Sequence, residues 1–393
     1  MGLNRNIPRA AIAFLSAAFA LGQSPANPVA ELSANIQAGR VELKFDDAQG
    51  YLRSLLEALH IPIESQMVVF SKTSVQALRI EPRSPRTLFF NDSVIVGWVR
   101  GGFIEVAAQD PQHGMMFYTV DERPWVHRAR LTEPEARAEP LFNRREDCLN
   151  CHVSPATFGV PGTLFRSVFP GPDGVPVHGT PEYNTDQRTP FDKLWGGWYV
   201  TGNSGASRHM GNAVVTDPAQ PDSMVSNATG NLESLKDKFD TGAYLSPYSD
   251  IVALMVFEHQ THMMNLLAHP DNITELVDYM LFVDEPPLAN KIAGTSGFAE
   301  TFAARGPRDS KGRSLRQLDL EHRLMRYPCS YMIYTAAFDG LAAAAKDAVY
   351  RRMWQILSGK DNSGRYSRIS MNDRRAIVEI LRDTKNDLPD YFK

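Results

Sequence analysis

The sequence predicts an α+β fold in three successive parts: an N-terminal antiparallel β-rich region, a central irregular segment and a C-terminal helical region. Three observations predict it. Short β-branched and aromatic runs separated by turn residues fill positions 67–120. A Pro- and Gly-rich stretch then runs from Pro155 to Pro190. From Asp250 onward, apolar residues recur at helical spacing behind recognisable N-caps. The boundaries drawn from these shifts are 1–22, 23–145, 146–245 and 246–393.

Residues 1–22 read as an export signal. Arg5 and Arg9 supply a positive flank, Ala10 to Leu21 an apolar run, and Ala18, Ala20 and Gly22 the small residues of a cleavage site. The run is short for a membrane span, which needs about 20 apolar residues. Cleavage is therefore expected, leaving no stable membrane span and a periplasmic or secreted protein.

Residues 23–40 read as a loose lead-in, and 51–60 (YLRSLLEALH) as a helix. Strands are expected at Met67 to Phe70, Thr87 to Phe90, Val94 to Val99, Phe103 to Ala107 and Met115 to Val120. Pro82/Pro85, Asn91-Asp92, Gly101-Gly102 and Asp110-Pro111 with Gly114 supply the turns between them. Residues 121–147 are polar and charged. In the helical part, Asp250 caps Ile251 to Leu267, and Asn272 caps Ile273 to Phe282 with Glu275 at the capping-box position. Further helices are expected over 315–327, over 331–358 with a break near Gly340, and over 371–385 behind Ser370.

Composition excludes some function classes. A hydrophobic content of 43% with 22% charged residues fits a packed globular chain rather than a disordered one. The net charge of −4, with no basic stripe, gives no footprint for nucleic acid. Three cysteines do not make a disulfide scaffold.

The chemistry-bearing motif is Cys148-Leu149-Asn150-Cys151-His152, a C-x-x-C-H. That pattern is the attachment site of a c-type haem: the two thiols form thioethers to the vinyl groups and the histidine becomes the proximal iron ligand. C-x-x-C also serves redox pairs, disulfides and zinc sites. The only other cysteine is Cys329, so a four-cysteine zinc site cannot be built, although a mixed Cys/His site can. The reading is one covalent haem c per chain. Cys329 then reads as a buried small hydrophobe.

A second axial ligand would decide the iron's role. Met210, in Arg208-His209-Met210-Gly211-Asn212, is the leading candidate, because flanking glycines suit a loop that approaches a flat cofactor. His209 is its rival in the same loop; the alternative is that Met210 fills core and His209 lies on the surface. Glu258, His259 and His262 share a helix and offer another constellation, either as iron ligand, second metal site or acid/base pair, or as a buried structural cluster. His178 is a further possibility. Arg144, Arg145 and Arg166 flank the motif and suit haem propionates. Trp195, Trp198 and Tyr199 suit packing on a porphyrin or simply a core.

Several segments are similar to those of a group of bacterial exported single-haem proteins containing cytochrome c: SKTSVQ (71–76), FFNDSVIVGWV (89–99), CLNCH (148–152), WGGWYVTG (195–202), RHMGN (208–212), EHQ (258–260), YPCSY (327–331) and LPDYF (388–392). The resemblance implies haem c and a periplasmic location, and supplies no substrate. The expected role is electron transfer to or from a periplasmic redox partner protein. The competing role is that of a peroxidase-like or other small-molecule haem oxidoreductase with an open distal site.

Overall fold

The computed structural model describes residues 26–120, 142–224 and 230–392. The export signal read over 1–22 and most of the 121–147 segment lie outside them. The fold is α+β. The first helix, α1 (Pro28–Gln37), replaces the expected loose lead-in. Its start is locally encoded: Asn27 Oδ1 accepts from the amides of Val29 and Ala30, and Pro28 holds the first helical position. Helix α2 (Leu52–Ala58) follows as the periodicity predicts.

Five strands then form a meander: β1 (Met67–Val69), β2 (Arg86–Phe90), β3 (Val94–Trp98), β4 (Ile104–Asp110) and β5 (Gly114–Val120). Two short strands that the sequence did not suggest close its edges. β6 (Phe142–Arg144) pairs with β5, and a Trp198–Tyr199 strand pairs with β1, so every neighbour in the sheet is antiparallel. Between them lie α3 (Leu149–His152), a small hairpin of β7 (Arg166–Ser167) and β8 (Tyr183–Asn184), and then that last strand, β9 (Trp198–Tyr199).

Both faces of the sheet are buried, which explains why its strands read as nearly unbroken apolar runs rather than alternating ones. Val96, Trp98, Ile104, Val106 and Tyr118 pack against Val29 and Leu32 of α1 and Leu52, Leu55 and Leu56 of α2. Leu88, Phe90, Ile95, Met115 and Phe117 turn the other way and join the core of the helical region. That core runs continuously from Met67 to Phe392, across the boundaries drawn at 146 and 246.

The helical region holds α4 (Ile251–Ala268), α5 (Ile273–Met280), α6 (Phe298–Ala304), α7 (Ala336–Asp339), α8 (Ala343–Leu357) and α9 (Met371–Thr384). Asp250, Asn272 and Ser370 cap α4, α5 and α9 with side-chain oxygens, as their positions predict. The chain breaks at Gly340, as expected. The helix expected over 315–327 is absent. Asp319 Oδ1 accepts from the amides of Glu321 and His322, and Leu320 adopts a left-handed φ of 61°. The local turn outcompetes the helix, and Leu318 bridges Met325 instead. Among the described residues, no helix is long and apolar enough to cross a membrane.

Candidate functional site

The C-x-x-C-H segment lies against the helix-facing side of the sheet. Strand β6 ends at Arg144 on the sheet edge, and Cys148 begins the single turn of α3 soon after. That turn brings Cys148, Cys151 and His152 onto the wall of one cavity of about 400 Å³. This lies within the ordinary range for ligand pockets, about 300–1,000 Å³. The two thiols are free. Cys148 is half-buried, and burial pushes its thiol up from the ordinary value.

Alternation along the strands puts one side chain toward the cavity at every second position. Leu88, Ile95, Ala107 and Phe117 form an apolar floor, and Trp198 and Phe257 close the far side. Trp198 owes its place to β9: it pairs with Val69, stacks on Phe165 at 4.4 Å, and its indole N–H donates to the Arg166 carbonyl at 2.8 Å. Charge enters this floor at two places. Arg86 on β2 and Glu105 on β4 form an ion pair that lines the cavity. Gly97 makes room for it, because a Cβ there would lie 2.6 Å from the Arg86 guanidinium.

The fold sets the tautomer of His152. Its Nδ1 lies 2.9 Å from the Gly162 carbonyl oxygen, which can only accept, so Nδ1 carries the proton and Nε2 keeps its lone pair. Burial lowers its pKa and holds the ring neutral, with the Gly162 bond opposing the shift. The ring also packs on Phe117 at 4.5 Å. A donated Nδ1 proton and a free Nε2 are the usual arrangement of a metal-bound histidine and its outer partner.

These residues fit a c-type haem. Two thiols and a pre-oriented imidazole share one largely apolar wall. The hydroxyl of Thr163, buried in that wall, has no partner within the protein. Arg145 and Arg166 lie on the cavity wall, held by Asp147 and Glu182, and suit propionates. Arg144 instead pairs with Glu146 and does not line the cavity. Among the described residues, no three His, Cys, Asp or Glu side chains converge to hold a metal ion, so the mixed Cys/His zinc alternative has no ligand set there.

The structure does not bring the proposed second ligands to this cavity. Met210 is buried one layer behind it, among Phe169, Val215 and Met224. Its sulfur accepts from the Ser167 hydroxyl at 3.5 Å. Strand β7 separates it from the cavity: Arg166 faces the cavity and the next residue, Ser167, faces Met210. His209 is buried rather than at the surface. It packs on Trp195 at 5.0 Å, accepts from the Gly211 amide at 3.1 Å, and burial brings its pKa down to about 4.

His259 has both nitrogens engaged, with Gln187 Oε1 and with the Ser330 hydroxyl at 2.7 Å; burial holds it neutral, with a pKa of about 3. The His262 ring packs at a tilt on Tyr279 at 4.5 Å and accepts from Arg188 at 3.3 Å. Glu258 accepts from the Thr185 hydroxyl at 2.7 Å. The hydrogen bonds of Glu258, His259 and His262 go to different partners, although His259 and His262 both pack on the Tyr279 ring. His178 is exposed in the Pro/Gly loop. Trp195 is core, and Tyr199 faces the opposite side of the sheet. Cys329 is fully buried, and burial raises its thiol pKa to about 12, so it is chemically quiet.

Three contributors escape sequence reading: Phe117, the Arg86–Glu105 pair and Gly162. Each reaches the site through strand pairing or loop closure. The charged pair left one signal, a Glu inside the apolar run from Phe103 to Ala107 and an Arg directly before the run from Thr87 to Phe90.

Comparison with protein families, with curated proteins and with solved structures finds no match.

Proposed function

We propose that the chain is an exported c-type cytochrome that holds one haem through thioethers from Cys148 and Cys151, with His152 as proximal ligand. It passes electrons to or from a periplasmic redox partner protein. The observation that carries the reading is the His152–Gly162 bond, which fixes the tautomer and leaves Nε2 unprotonated on a residue that shares one cavity wall with both cysteines. When bound, the haem supplies a one-electron iron couple. The protein's own part is to orient the imidazole, exclude water with Phe117, Trp198 and Phe257, and offer Arg145 and Arg166 to the propionates.

A second reading, a small-molecule haem oxidoreductase, is favoured by one observation. The Arg86–Glu105 pair places a guanidinium and a carboxyl on the wall of the same cavity. A simple carrier has no need of such a pair, whereas a site that binds and orients a small polar ligand does.

The test is expression with the c-type maturation system. The wild-type chain should retain haem after denaturation, and the double variant Cys148→Ala/Cys151→Ala should lose it. A wild-type chain without covalent haem, or a double variant that keeps it, overturns the reading. Carbon monoxide then separates the two roles: an indifferent low-spin iron favours electron transfer, and binding favours the oxidoreductase.

A further inference from the structure

The proximal histidine is held by a loop whose own fixation comes from elsewhere in the chain. Three consecutive residues, Pro161, Gly162 and Thr163, are each tied to a different element. The Pro161 carbonyl accepts from the Met115 amide at the start of β5, at 2.9 Å. The Gly162 carbonyl accepts from His152 Nδ1, and the Gly162 amide donates back to the His152 carbonyl at 2.9 Å. Thr163 is clamped on both sides by one side chain. Asn265 Oδ1 accepts from the Thr163 amide at 3.0 Å, and Asn265 Nδ2 donates to the Thr163 carbonyl at 2.8 Å.

Asn265 is an unexpected residue at its position. It sits on α4 within Met263-Met264-Asn265-Leu266-Leu267 and is only 2% exposed. Burying an amide in an apolar helix face is costly unless both its groups are satisfied. Both are satisfied here, by a single backbone unit. The fit is close enough to require glycine next door, since a Cβ on Gly162 would collide with Asn265 Oδ1.

The geometry points to Asn265 as a positioning residue for His152, acting through the Gly162–Thr163 backbone to hold the carbonyl that fixes the imidazole. This rests on His152 being the proximal ligand, as proposed above. A carbonyl on Nδ1 makes the imidazole a stronger donor to iron, and loss of such an outer partner typically changes metal affinity ten- to a hundred-fold. A stronger donor favours oxidised iron. Freeing the loop should therefore raise the midpoint potential, by about 59 mV for each ten-fold change in the oxidised-over-reduced preference of a one-electron couple.

The experiment is potentiometry on haem-loaded wild type, Asn265→Ala, Asn265→Asp and Gln260→Ala. Gln260 is the control. It lies on the same helix and makes two buried bonds of its own, donating to the Asn91 carbonyl at 2.6 Å and accepting from Tyr331 at 2.7 Å, with no link to His152. Thermal midpoints of all four proteins report the purely structural cost.

Asn265→Ala is expected to raise the potential, and Gln260→Ala to lower thermal stability without moving it. Asn265→Asp keeps an acceptor for the Thr163 amide but sets a carboxylate against the Thr163 carbonyl; its negative charge favours oxidised iron and opposes the rise, so its potential should lie below that of Asn265→Ala. It also remains informative should Asn265→Ala not fold. Equal potentials in wild type and both Asn265 variants overturn the inference while leaving the haem reading intact. A wild-type chain that carries no covalent haem overturns the haem reading instead.

Discussion

Glu258 offers a sharp test of the packing between α4 and the Thr185 segment. Its side chain lies on α4, 2% exposed, with the Thr185 hydroxyl donating at 2.7 Å and, among the described residues, no arginine or lysine paired to it. Burial raises its pKa from 4.5 to about 8, partly offset by the bond from Thr185. The unfolded chain gives up this proton near pH 4.5, and the folded chain keeps it to about pH 8. Across that window the folded state binds more protons, so this group's contribution to stability falls as pH rises. The slope is about 1.4 kcal/mol per pH unit, and between pH 4.5 and 7 the loss is about 3 kcal/mol.

Glu258→Gln keeps an acceptor for Thr185 and removes the titration. Urea unfolding of both proteins at steps from pH 4.5 to 8 gives the comparison. The wild type should lose stability relative to the variant as pH rises, with the two curves diverging by about 3 kcal/mol at pH 7. The subtraction removes the shared contributions of other titrating groups. Parallel curves across the window would refute the reasoning, because they would mean that the buried carboxyl ionises as it does in water.

Two further substitutions separate structure from ligation. Met210→Ala should leave the iron spectrum of the haem-loaded protein unchanged while costing about 2–5 kcal/mol in urea unfolding, since it empties a packed cluster with Phe169 and Met224; a changed spectrum would return Met210 to the ligand set. Asp250→Ala should cost about 3 kcal/mol or more by the same assay. Its carboxyl caps α4 through the Val252 and Ala253 amides and also accepts from the Thr295 and Ser296 amides and the Ser296 hydroxyl, so it joins two segments as well as ending a helix. A loss within 0.5 kcal/mol, the size of an ordinary surface change, would contradict that account.

Local signals made much of the fold legible. The five runs between Met67 and Val120 are strands because β-branched and aromatic residues meet turn residues at regular intervals. The caps at Asp250, Asn272 and Ser370 are short-range hydrogen bonds that sequence reports directly. Helix α1 was legible too, through Asn27-Pro28, and reading 23–40 as a loose lead-in overlooked it. Other features lie beyond a local reading. The 315–327 segment carries helical periodicity, yet the turn centred on Asp319 and the contacts of Arg316 with Phe302 and Tyr331 fix it otherwise. Strand β9 is two residues long and exists because β1 offers it an edge. At the site, the pentapeptide announced itself. Gly162, Phe117 and Asn265 did not, because each acquires its role only when the loop, the sheet and α4 close together.

That closure also bears on the size of the chain. On the proposed reading, shielding a haem needs far less protein than this, but here the cavity is walled by a sheet face, and a sheet face must be covered on its other side as well. Helices α1 and α2 cover one side, and the helical region covers the other. Such a wall is costly, but it fixes side chains on a rigid two-residue period, which a loop cannot do. Arg86 and Glu105 use that rigidity. A half-buried ion pair commonly contributes little more to stability than the apolar side chains it displaces, and Gly97 gives up its own side chain to make room for this one. Stability therefore gives no reason for the pair to lie in an otherwise apolar floor. Its position on the wall shared with His152, Cys148 and Cys151 gives a chemical one: a fixed positive and negative charge beside whatever the cavity holds.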